Sequence, residues 1–461
     1  MDANMEVHVA ADGGGAFADL AEAVREAQPG AVIRLESGSY RLPAPLLLSR
    51  PLALVGAGVE QTRLIGADEG YVLRVDGAGA FAIRDLTIAH EGLAAANGVE
   101  VAAGEVELSR CYFTGGRRQD ATNDGGHGLH ITGHAHGVVT DCEATGNAGH
   151  GILISEQAEA VLEANHCREN DASGLAYAGE AGGAARRNEC GGNGQSAIEV
   201  ADQARPALER NTCSGNAMHG IEIGGASSAT ARQNTCREND QVGIFVVNQA
   251  SPLLEDNVCE RNQACGIAYT EQAHGSARGN QCNANGQYGI HAAGTSAPVL
   301  TGNSCHGNRR CGIAYGASAA GAAVANACNR NESDGITVAA QAHPTLDGNH
   351  CRNNTSSGLA FTEEAAGAAL RNTCVGGQFG IYLNTVAHPT LLGNVCRQSS
   401  EAGIGYFDSS GGEARQNSCT DGDRIGIFVA AHARPILDGN VCSGNRVDTV
   451  VHGKDTGGLL H

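Results

Sequence analysis

Hydrophobic residues alternate with polar ones along most of the chain, in short runs separated by glycine or polar turns. In the segment from Gly243 to Cys259, GIFVVNQASPLLEDNVC, apolar residues fall at every second position in two such runs. Successive side chains of a β-strand point to opposite faces, whereas a helix repeats its apolar face every three or four residues. The pattern therefore predicts short strands that bury one face.

The alternating segment recurs with a fixed period. The triplet Asn-x-Cys ends at thirteen cysteines, and of the twelve steps between them eleven are 23 residues and one is 22: Cys167, Cys190, Cys213, Cys236, Cys259, Cys282, Cys305, Cys328, Cys351, Cys374, Cys396, Cys419 and Cys442. So strict a period, without insertions, is typical of a solenoid whose units bury their apolar faces only on one another. We predict an all-β parallel β-helix with about 23 residues per coil.

The repeat also predicts how the chain is organised. Residues 1–97 should form an N-terminal cap and the first, irregular coils. Residues 98–461 should form the regular coils and a short C-terminal cap. We expect the two segments to build one continuous domain.

Three columns of equivalent residues are interpreted as structural. The asparagines before the cysteines should adopt a left-handed corner and hydrogen-bond from rung to rung. The cysteines should stack as buried free thiols, because parallel strands hold their Cβ atoms beyond disulfide range. Aromatic residues on alternate coils should fill the interior opposite small residues, and the intervening coils carry Pro and Leu instead; these aromatic residues are Tyr177, Tyr269, Tyr315, Phe361 and Tyr406.

The beginning of the chain and its repeats resemble a known superfamily. Residues 12–24 (DGGGAFADLAEAV), 29–35 (PGAVIRL) and 54–58 (LVGAG) are similar to the opening of right-handed parallel β-helix proteins of the pectin-lyase-like superfamily. In that superfamily an amphipathic helix caps the first coil, which implies a helix from about Phe17 to Ala27 here. The repeats resemble those of carbohydrate-binding β-helices and of the substrate-receptor region of F-box-only ubiquitin-ligase subunits. Such repeats imply a fold rather than an activity.

The catalytic signatures of the superfamily's enzymes are incomplete in this chain. The Asp-Pro-His sequence of mannuronan epimerases is absent. The segment Asn123-Asp-Gly-Gly-His-Gly128 lies in one turn, whereas polygalacturonases carry similar pieces on separate coils. Chemistry on a uronate also needs a cation or an arginine cluster, and the sequence shows none.

Charge and composition disfavour several classes of partner. The formal net charge of -20 opposes nucleic acid and anionic membranes unless a local basic patch outweighs it, and the pairs Arg117-Arg118 and Arg309-Arg310 are too small. No run approaches the ~18 to 20 apolar residues of a membrane span, and the first residues lack a secretion signal. The 17 cysteines, an odd number, favour reduced thiols. We expect a cytoplasmic protein.

The outward position of the first strand supplies a catalytic hypothesis. Glu199 and Glu222 occupy it on adjacent coils, so their carboxyl groups would lie about 5 Å apart, as in a retaining glycosidase. His219, in the preceding turn, and Asp202, just beyond the strand, would complete the group. Like charges so close together should raise the pKa of one carboxyl, as an acid catalyst requires.

The same outward position also suggests a binding face. Phe245, His291, Tyr382 and Phe428 occupy it on coils that carry proline, and the coils between them have Ala or Gly at this position. A spacing of every second coil is ~9.6 Å, near the length of a disaccharide in an extended chain. Aromatic faces on a shallow groove suit sugar rings or the apolar residues of a protein partner.

A widened turn between Cys111 and Gly128 is a candidate metal site. It holds charged residues and one histidine, and three more histidines follow: Arg117, Arg118, Asp120, Asp124, His127, His130, His134 and His136. None of the spacings matches a zinc site. We predict no metal and no other cofactor.

Together these observations favour a non-catalytic binding scaffold that presents its first-strand face to an extended ligand, either a neutral glycan or a protein segment. The alternative is a glycan-active enzyme centred on Glu199 and Glu222, most simply a hydrolase and less readily a lyase or epimerase. A spacer without any small ligand is the third hypothesis. A deep cleft over the two glutamates would favour the enzyme, and a long shallow groove would favour the binding scaffold.

Overall fold

The chain folds into stacked coils of short strands, as the period predicts. The computed structural model describes residues 6–14, 17, 19–118 and 125–453. Two compact units divide the chain, Met1–Thr235 and Cys236–His461. In both units the coils contribute strands to three parallel sheets. We number the sheets in coil order: sheet 1 contains the Gly-Ile strands, sheet 2 the Pro-x-Leu strands and sheet 3 the cysteine strands.

In the first unit the strands have the following bounds. Sheet 1 contains Leu46–Leu48, Gly70–Val75, Ala96–Val101, Leu129–Ile131, Ile152–Ile154, Leu175–Tyr177, Ile198–Val200 and Ile221–Ile223. Sheet 2 contains Glu6–Val9, Ala31–Leu35, Leu52–Val55, Ala80–Arg84, Glu105–Ser109, His136–Thr140, Glu159–Glu163, Gly182–Arg186, Ala207–Glu209 and Thr230–Arg232. Sheet 3 contains Gly38–Arg41, Thr62–Gly66, Thr87–His90, Tyr112–Thr114, Glu143–Thr145, His166–Arg168, Glu189–Gly191 and Thr212–Ser214.

In the second unit the same three sheets recur. Sheet 1 contains Ile244–Val246, Ile267–Tyr269, Ile290–Ala292, Ile313–Tyr315, Ile336–Val338, Ser357–Phe361, Phe379–Leu383, Ala402–Tyr406, Ile425–Val429 and Val447–His452. Sheet 2 contains Leu253–Glu255, Ser276–Arg278, Val299–Thr301, Ala322–Val324, Thr345–Asp347, Ala368–Leu370, Thr390–Leu392, Gly411–Arg415 and Arg434–Asp438. Sheet 3 contains Val258–Glu260, Gln281–Asn283, Ser304–His306, Ala327–Asn329, His350–Arg352, Thr373–Val375, Val395–Arg397, Ser418–Thr420 and Val441–Ser443. The strand Thr235–Arg237 contains the boundary between the units.

The predicted capping helix is present but shorter than expected. It spans Leu20–Glu26 and buries Leu20, Ala23 and Val24. It begins where it does because the Asp19 side chain accepts a hydrogen bond from the backbone N–H of Glu22 at 2.7 Å, which satisfies one of the free donors of the first turn. The bounds from Phe17 to Ala27 were therefore too wide.

The asparagine ladders are confirmed, with one correction. In the first unit the side-chain oxygen of Asn211 accepts from the backbone and side-chain N–H groups of Asn188, and Asn211 donates in the same way to Asn234. The asparagine was predicted to adopt the left-handed conformation, but the residue before it does so instead, for example Arg187 at φ 53° and Arg210 at φ 55°. The corner residue turns the chain, and the asparagine is left free to bond the next rung.

The cysteine and aromatic columns are confirmed as core. All 17 cysteines are free thiols, and all but Cys442 are buried. The five aromatic residues of the alternate coils are at most 1% exposed: Tyr177, Tyr269, Tyr315, Phe361 and Tyr406. The small residues opposite them, such as Ala185 and Ala277, are also fully buried, as are Leu208 and Leu254 in the neighbouring coils. Large and small side chains thus compensate within each coil.

The alternation of proline and glycine has a steric cause. Gly275 and Gly321 adopt φ angles of 102° and 94°, and a Cβ atom on either would lie 2.3 Å from the carbonyl oxygen of Pro252 or Pro298 one coil earlier. No side chain fits at these two positions while the backbone keeps its positive φ. At the equivalent position one coil after Pro206 the chain has Ala229, which does not adopt a positive φ.

Candidate functional site

The sheet 1 strands of the first unit place Glu199 and Glu222 side by side. Each strand is a three-residue segment whose outer two residues are fully buried, so the middle residue faces outward and is half-buried. The parallel register pairs Glu199 with Glu222 directly. The predicted placement on adjacent coils is therefore present, whereas the predicted carboxyl separation of about 5 Å stays a prediction.

Both carboxylates accept a hydrogen bond from a serine of the preceding coil. Ser173 Oγ lies 2.7 Å from Glu199 Oε2, and Ser196 Oγ lies 3.0 Å from Glu222 Oε2. Burial raises the pKa of Glu222, the Ser196 hydrogen bond opposes this rise, and the charge of Glu199 adds to it. A raised pKa was predicted for one member of the pair, but its main cause is desolvation rather than like charge.

The other two predicted members of this group lie in different surroundings. His219 directly precedes Gly220, is 4% exposed, and has a pKa lowered to about 4 by burial. Asp202 is an exposed corner residue at φ 56°, and its carboxylate accepts a hydrogen bond from Gly179 N at 2.8 Å. Asp202 therefore holds a turn of the preceding coil, and its part in any chemistry stays a prediction.

A row of histidines extends the polar face, and one of them, His150, was not identified from the sequence. His127 and His150 occupy equivalent positions, and their rings stack with centroids 5.2 Å apart, while His130 lies edge-on to His127 at 5.4 Å. His127 Nδ1 accepts from the backbone N–H of His150, and His150 Nδ1 accepts from that of Ser173. Burial lowers the pKa of His127 to about 2 and also lowers the pKa of His150. Both rings are neutral at pH 7.

The serines and His150 were missed because they occupy the position directly before the Gly-Ile strand, which the sequence pattern assigned to a turn. The signal was available, since His127 and His150 are one 23-residue period apart. A half-buried face of neutral imidazoles, hydroxyls and carboxylates results. Such a face can hydrogen-bond to hydroxyl groups, and Glu222 can hold a proton to higher pH than an ordinary carboxyl.

The widened turn gives no metal site in the part of the chain that can be described. His130 lies in sheet 1, and its Nε2 forms a hydrogen bond with Ser155 Oγ at 2.8 Å. His136 lies in sheet 2, where it is the first residue of a strand. Asp120 and Asp124 lie outside the described residues. Over the described ranges no three His, Cys, Asp or Glu side chains are grouped to hold a metal ion.

In the second unit the outward face of sheet 1 is aromatic, and it differs in part from the prediction. Phe245, His291 and Tyr382 are half-buried at the outward position, as expected. Phe428 is only 3% exposed, because it packs with Ala402 and Ile425 under the Phe407 ring, 5.3 Å away. The expectation of an exposed Phe428 ring was wrong.

Three further aromatic residues flank the outward position and join these rings. Phe379 lies 5.2 Å from Tyr382, and Phe407 lies 5.2 Å from Tyr382 and 5.6 Å from Phe379, measured between centroids. Tyr288 lies 4.9 Å from His291. We call Phe379, Tyr382 and Phe407 the aromatic cluster. Its flanking members, Phe379 and Phe407, were not identified from the sequence because only the outward middle position of each first strand was considered.

Tyr288 and Tyr382 also carry polar partners. Arg310 donates to the Tyr288 hydroxyl at 3.1 Å, and its guanidinium lies 5.7 Å from the ring centroid. Asn384 donates to the Tyr382 hydroxyl at 3.2 Å. The face thus combines flat rings with oriented hydrogen-bonding groups.

No outward position of sheet 1 from Phe245 to Phe428 holds a carboxylate, among the described residues. Asp334, at the edge of this face, is 8% exposed and is bonded to Thr337 Oγ1 and to Ser357 N. A pair of acid and base carboxylates is therefore missing from the aromatic part of the face.

Comparisons with known proteins concern mainly the fold. A family model described as right handed beta helix region matches residues 63–190, 172–300, 254–375 and 334–457. Among solved structures, the chain is similar to pectate lyase Pel9A, with 15% identity over 56% of this chain and 78% of that one and a TM-score of 0.44. It is also similar to an alginate lyase from Paenibacillus sp. str. FPU-7, with 16% identity over 60% and 95% and a TM-score of 0.42.

A third similar structure is the A-module of the mannuronan C-5 epimerase AlgE6 of Azotobacter vinelandii, with 14% identity over 90% and 91% and a TM-score of 0.33. At these identities no residue role is transferred from any of the three. No curated protein matches the chain significantly in sequence.

Proposed function

Since the chain belongs to the right-handed β-helix family, we propose that it is a non-catalytic scaffold that binds an extended neutral glycan along the sheet 1 face of its second unit. The aromatic cluster would form the centre of the binding face, and Tyr288 with His291 would form a second contact. The observation that carries the proposal is the grouping of half-buried rings on an outward face.

Two features of the face support a sugar ligand. The C–H faces of a sugar ring pack on aromatic rings, and its hydroxyl groups need oriented donors and acceptors, which the Tyr382 hydroxyl and Asn384 supply. The absence of carboxylates at the described outward positions of sheet 1 in the second unit supports binding without cleavage. A protein segment with apolar side chains is the other ligand that such a face would suit.

The experiment is a binding titration of the full-length protein with a panel of neutral oligosaccharides of four to six sugars. Phe379→Ala and Tyr382→Ala should each weaken binding about tenfold, which corresponds to the loss of ~1.4 kcal/mol. Tyr112→Ala, on sheet 3 of the first unit, serves as the control and should bind normally. Unchanged affinity in both aromatic variants, with unchanged melting temperatures, would refute the glycan face. Capture of a protein and no glycan would identify the alternative ligand.

A glycoside hydrolase at Glu199 and Glu222 is the second candidate, and the raised pKa of Glu222 beside a paired carboxylate favours it. In this case Glu222 would act as the acid and Glu199 as the nucleophile of a retaining reaction. Release of reducing ends from glycans should stop in the Glu199→Gln and Glu222→Gln double variant and persist in the Glu209→Gln control on sheet 2. Activity that survives the double substitution excludes this site.

A further inference from the structure

The sheet 3 face of the second unit has an unusual charge for this protein. Across six consecutive strands, from Gln281–Asn283 to Val395–Arg397, the outward positions hold no Asp or Glu in a chain whose net charge is -20. The outward residues of these strands are Gln281, Asn283, Ser304, His306, Ala327, Asn329, His350, Arg352, Thr373, Val375, Val395 and Arg397. The face is locally basic.

Several arginines on comparable positions elsewhere are neutralised. In the first unit Arg168 pairs with Glu143 across sheet 3, and in the second unit Arg371 pairs with Asp347 at a corner. Arg261 lies at the same type of corner as Arg330, and it pairs with Glu238 and Glu260. The usual partner of a corner arginine is therefore a carboxylate one coil away or in the same coil.

Arg330 and Arg352 have no such partner. Neither side chain forms an ion pair with any described residue, and Glu332, two residues beyond Arg330, is paired with neither. Both arginines line a cavity of about 410 Å³, whose other lining residues are His306, Asn329 and Asn353. The cavity therefore concentrates positive charge that nothing in its lining neutralises.

The amide side chains complete a set of donors. Asn329 Oδ1 accepts from the backbone N–H of Arg352 at 2.9 Å, which commits its oxygen and leaves its NH₂ group as a donor. The parallel register aligns His306, Asn329 and Arg352 on successive rungs about 4.8 Å apart. Two guanidinium groups, an amide and an imidazole thus converge on one concave surface.

We propose that this cavity binds a tetrahedral oxyanion, a phosphate or a sulfate group. The planar guanidinium fork matches two oxygens of such a group, and charge-assisted hydrogen bonds are stronger than neutral ones. The site lies on a different sheet from the proposed glycan face and does not depend on it. The anion is either free in solution or carried by a polymer whose further groups reach Arg397, two coils beyond Arg352.

The test uses the full-length protein, titrated at low ionic strength with inorganic phosphate and inorganic sulfate by calorimetry. Arg330→Gln and Arg352→Gln should each weaken binding at least tenfold. Glutamine is compatible with the left-handed corner at 330, because Gln398 occupies the equivalent corner at φ 56°. The matched control is Arg278→Gln, an exposed arginine on sheet 2 of the same unit that lies outside the cavity.

The control separates a site from general charge. Equal weakening in the Arg278 variant would show non-specific attraction and overturn the proposal, as would failure of the native protein to bind either anion. A sulfated oligosaccharide then distinguishes the two sources. If Arg397→Gln weakens binding of the sulfated oligosaccharide but not of phosphate, the natural ligand is a polymer. If Arg397→Gln changes the affinity for both ligands equally, the natural ligand is a free anion. Both conclusions require that Arg330→Gln and Arg352→Gln weaken anion binding.

Discussion

Truncation of one ladder asparagine tests how much the inter-rung hydrogen bonds contribute to stability. Asn211 is the most informative position because it lies in the middle of the first unit's ladder and is 1% exposed. Its side chain makes four hydrogen bonds. It donates to the Ala185 carbonyl and to Asn234, both at 2.9 Å, and it accepts from the backbone and side-chain nitrogens of Asn188 at 3.0 and 2.9 Å.

Asn211→Ala removes all four bonds and leaves buried groups without partners. The Asn188 backbone N–H loses its acceptor, and the Ala185 carbonyl loses a side-chain donor. A buried polar group left unsatisfied costs about 1–3 kcal/mol, so the two together predict a loss of roughly 2–6 kcal/mol. Since domains are stable by only about 5–15 kcal/mol, the variant should be severely destabilised.

The measurement is urea unfolding followed by circular dichroism, with hydrogen exchange to locate the damage in the flanking coils. Gln203→Ala is the control, because Gln203 is an exposed amide of the same unit. It should change the free energy of unfolding by no more than about 0.5 kcal/mol. A loss below about 1 kcal/mol in Asn211→Ala would contradict the view that the ladder stabilises the stack.

Three further predictions concern buried groups and backbone. Because burial lowers the pKa of His219 to about 4, the unfolded chain takes up a proton at higher pH than the folded chain. His219 should therefore reduce stability by about 3 kcal/mol as the pH falls from 6.5 to 4, and His219→Gln should lose that share of the pH dependence in urea titrations. The Tyr315 hydroxyl is buried without a hydrogen-bond partner, so Tyr315→Phe should leave the free energy of unfolding unchanged or raise it by up to about 1 kcal/mol. A decrease of about 1 kcal/mol in urea unfolding would contradict this. Gly321→Ala should destabilise by several kcal/mol through its contact with the Pro298 carbonyl, whereas Gly302→Ala, which meets no atom within 4 Å, should cost only about 1 kcal/mol for its left-handed backbone; similar melting temperatures for the two variants would remove the steric explanation.

The fold was predictable because the period is strict. With 23 residues in nearly every step, only one register stacks cysteine on cysteine and asparagine on asparagine, and Cys190 pairs with Cys213 as that register requires. The conformation of the corner was not predictable from residue preference alone. Asn can adopt the left-handed region, but at Asn188 both the side chain and the backbone N–H must reach Asn211. The preceding residue takes the turn instead, even where it is Arg187.

The candidate site was predictable only along one column. Alternation identified Glu199 and Glu222, because their neighbours in the strand are apolar. It could not identify Ser173 and Ser196, since hydroxyl groups before a strand are indistinguishable from ordinary turn residues until the coil above is in place. The predicted exposure of Phe428 was wrong for the same reason. The position of Phe428 in its strand faces outward, but Phe407 of the preceding coil covers its ring.

Charged residues that are far apart in the sequence become neighbours on a face of the β-helix. The basic residues that are adjacent in the sequence are arginine pairs such as Arg309-Arg310, and Arg310 donates a hydrogen bond to the Tyr288 hydroxyl. In a β-helix the neighbours on a face are one period apart, so His306, Asn329 and Arg352 form a patch that no short window contains. A net charge of -20 opposes anions on average over the surface. At 0.1 M salt, however, charges more than about 10 Å away are largely screened, so the electrostatic potential in the cavity is set mainly by its own arginines. The net charge alone is therefore no argument against the binding of a small anion at the sheet 3 face of the second unit.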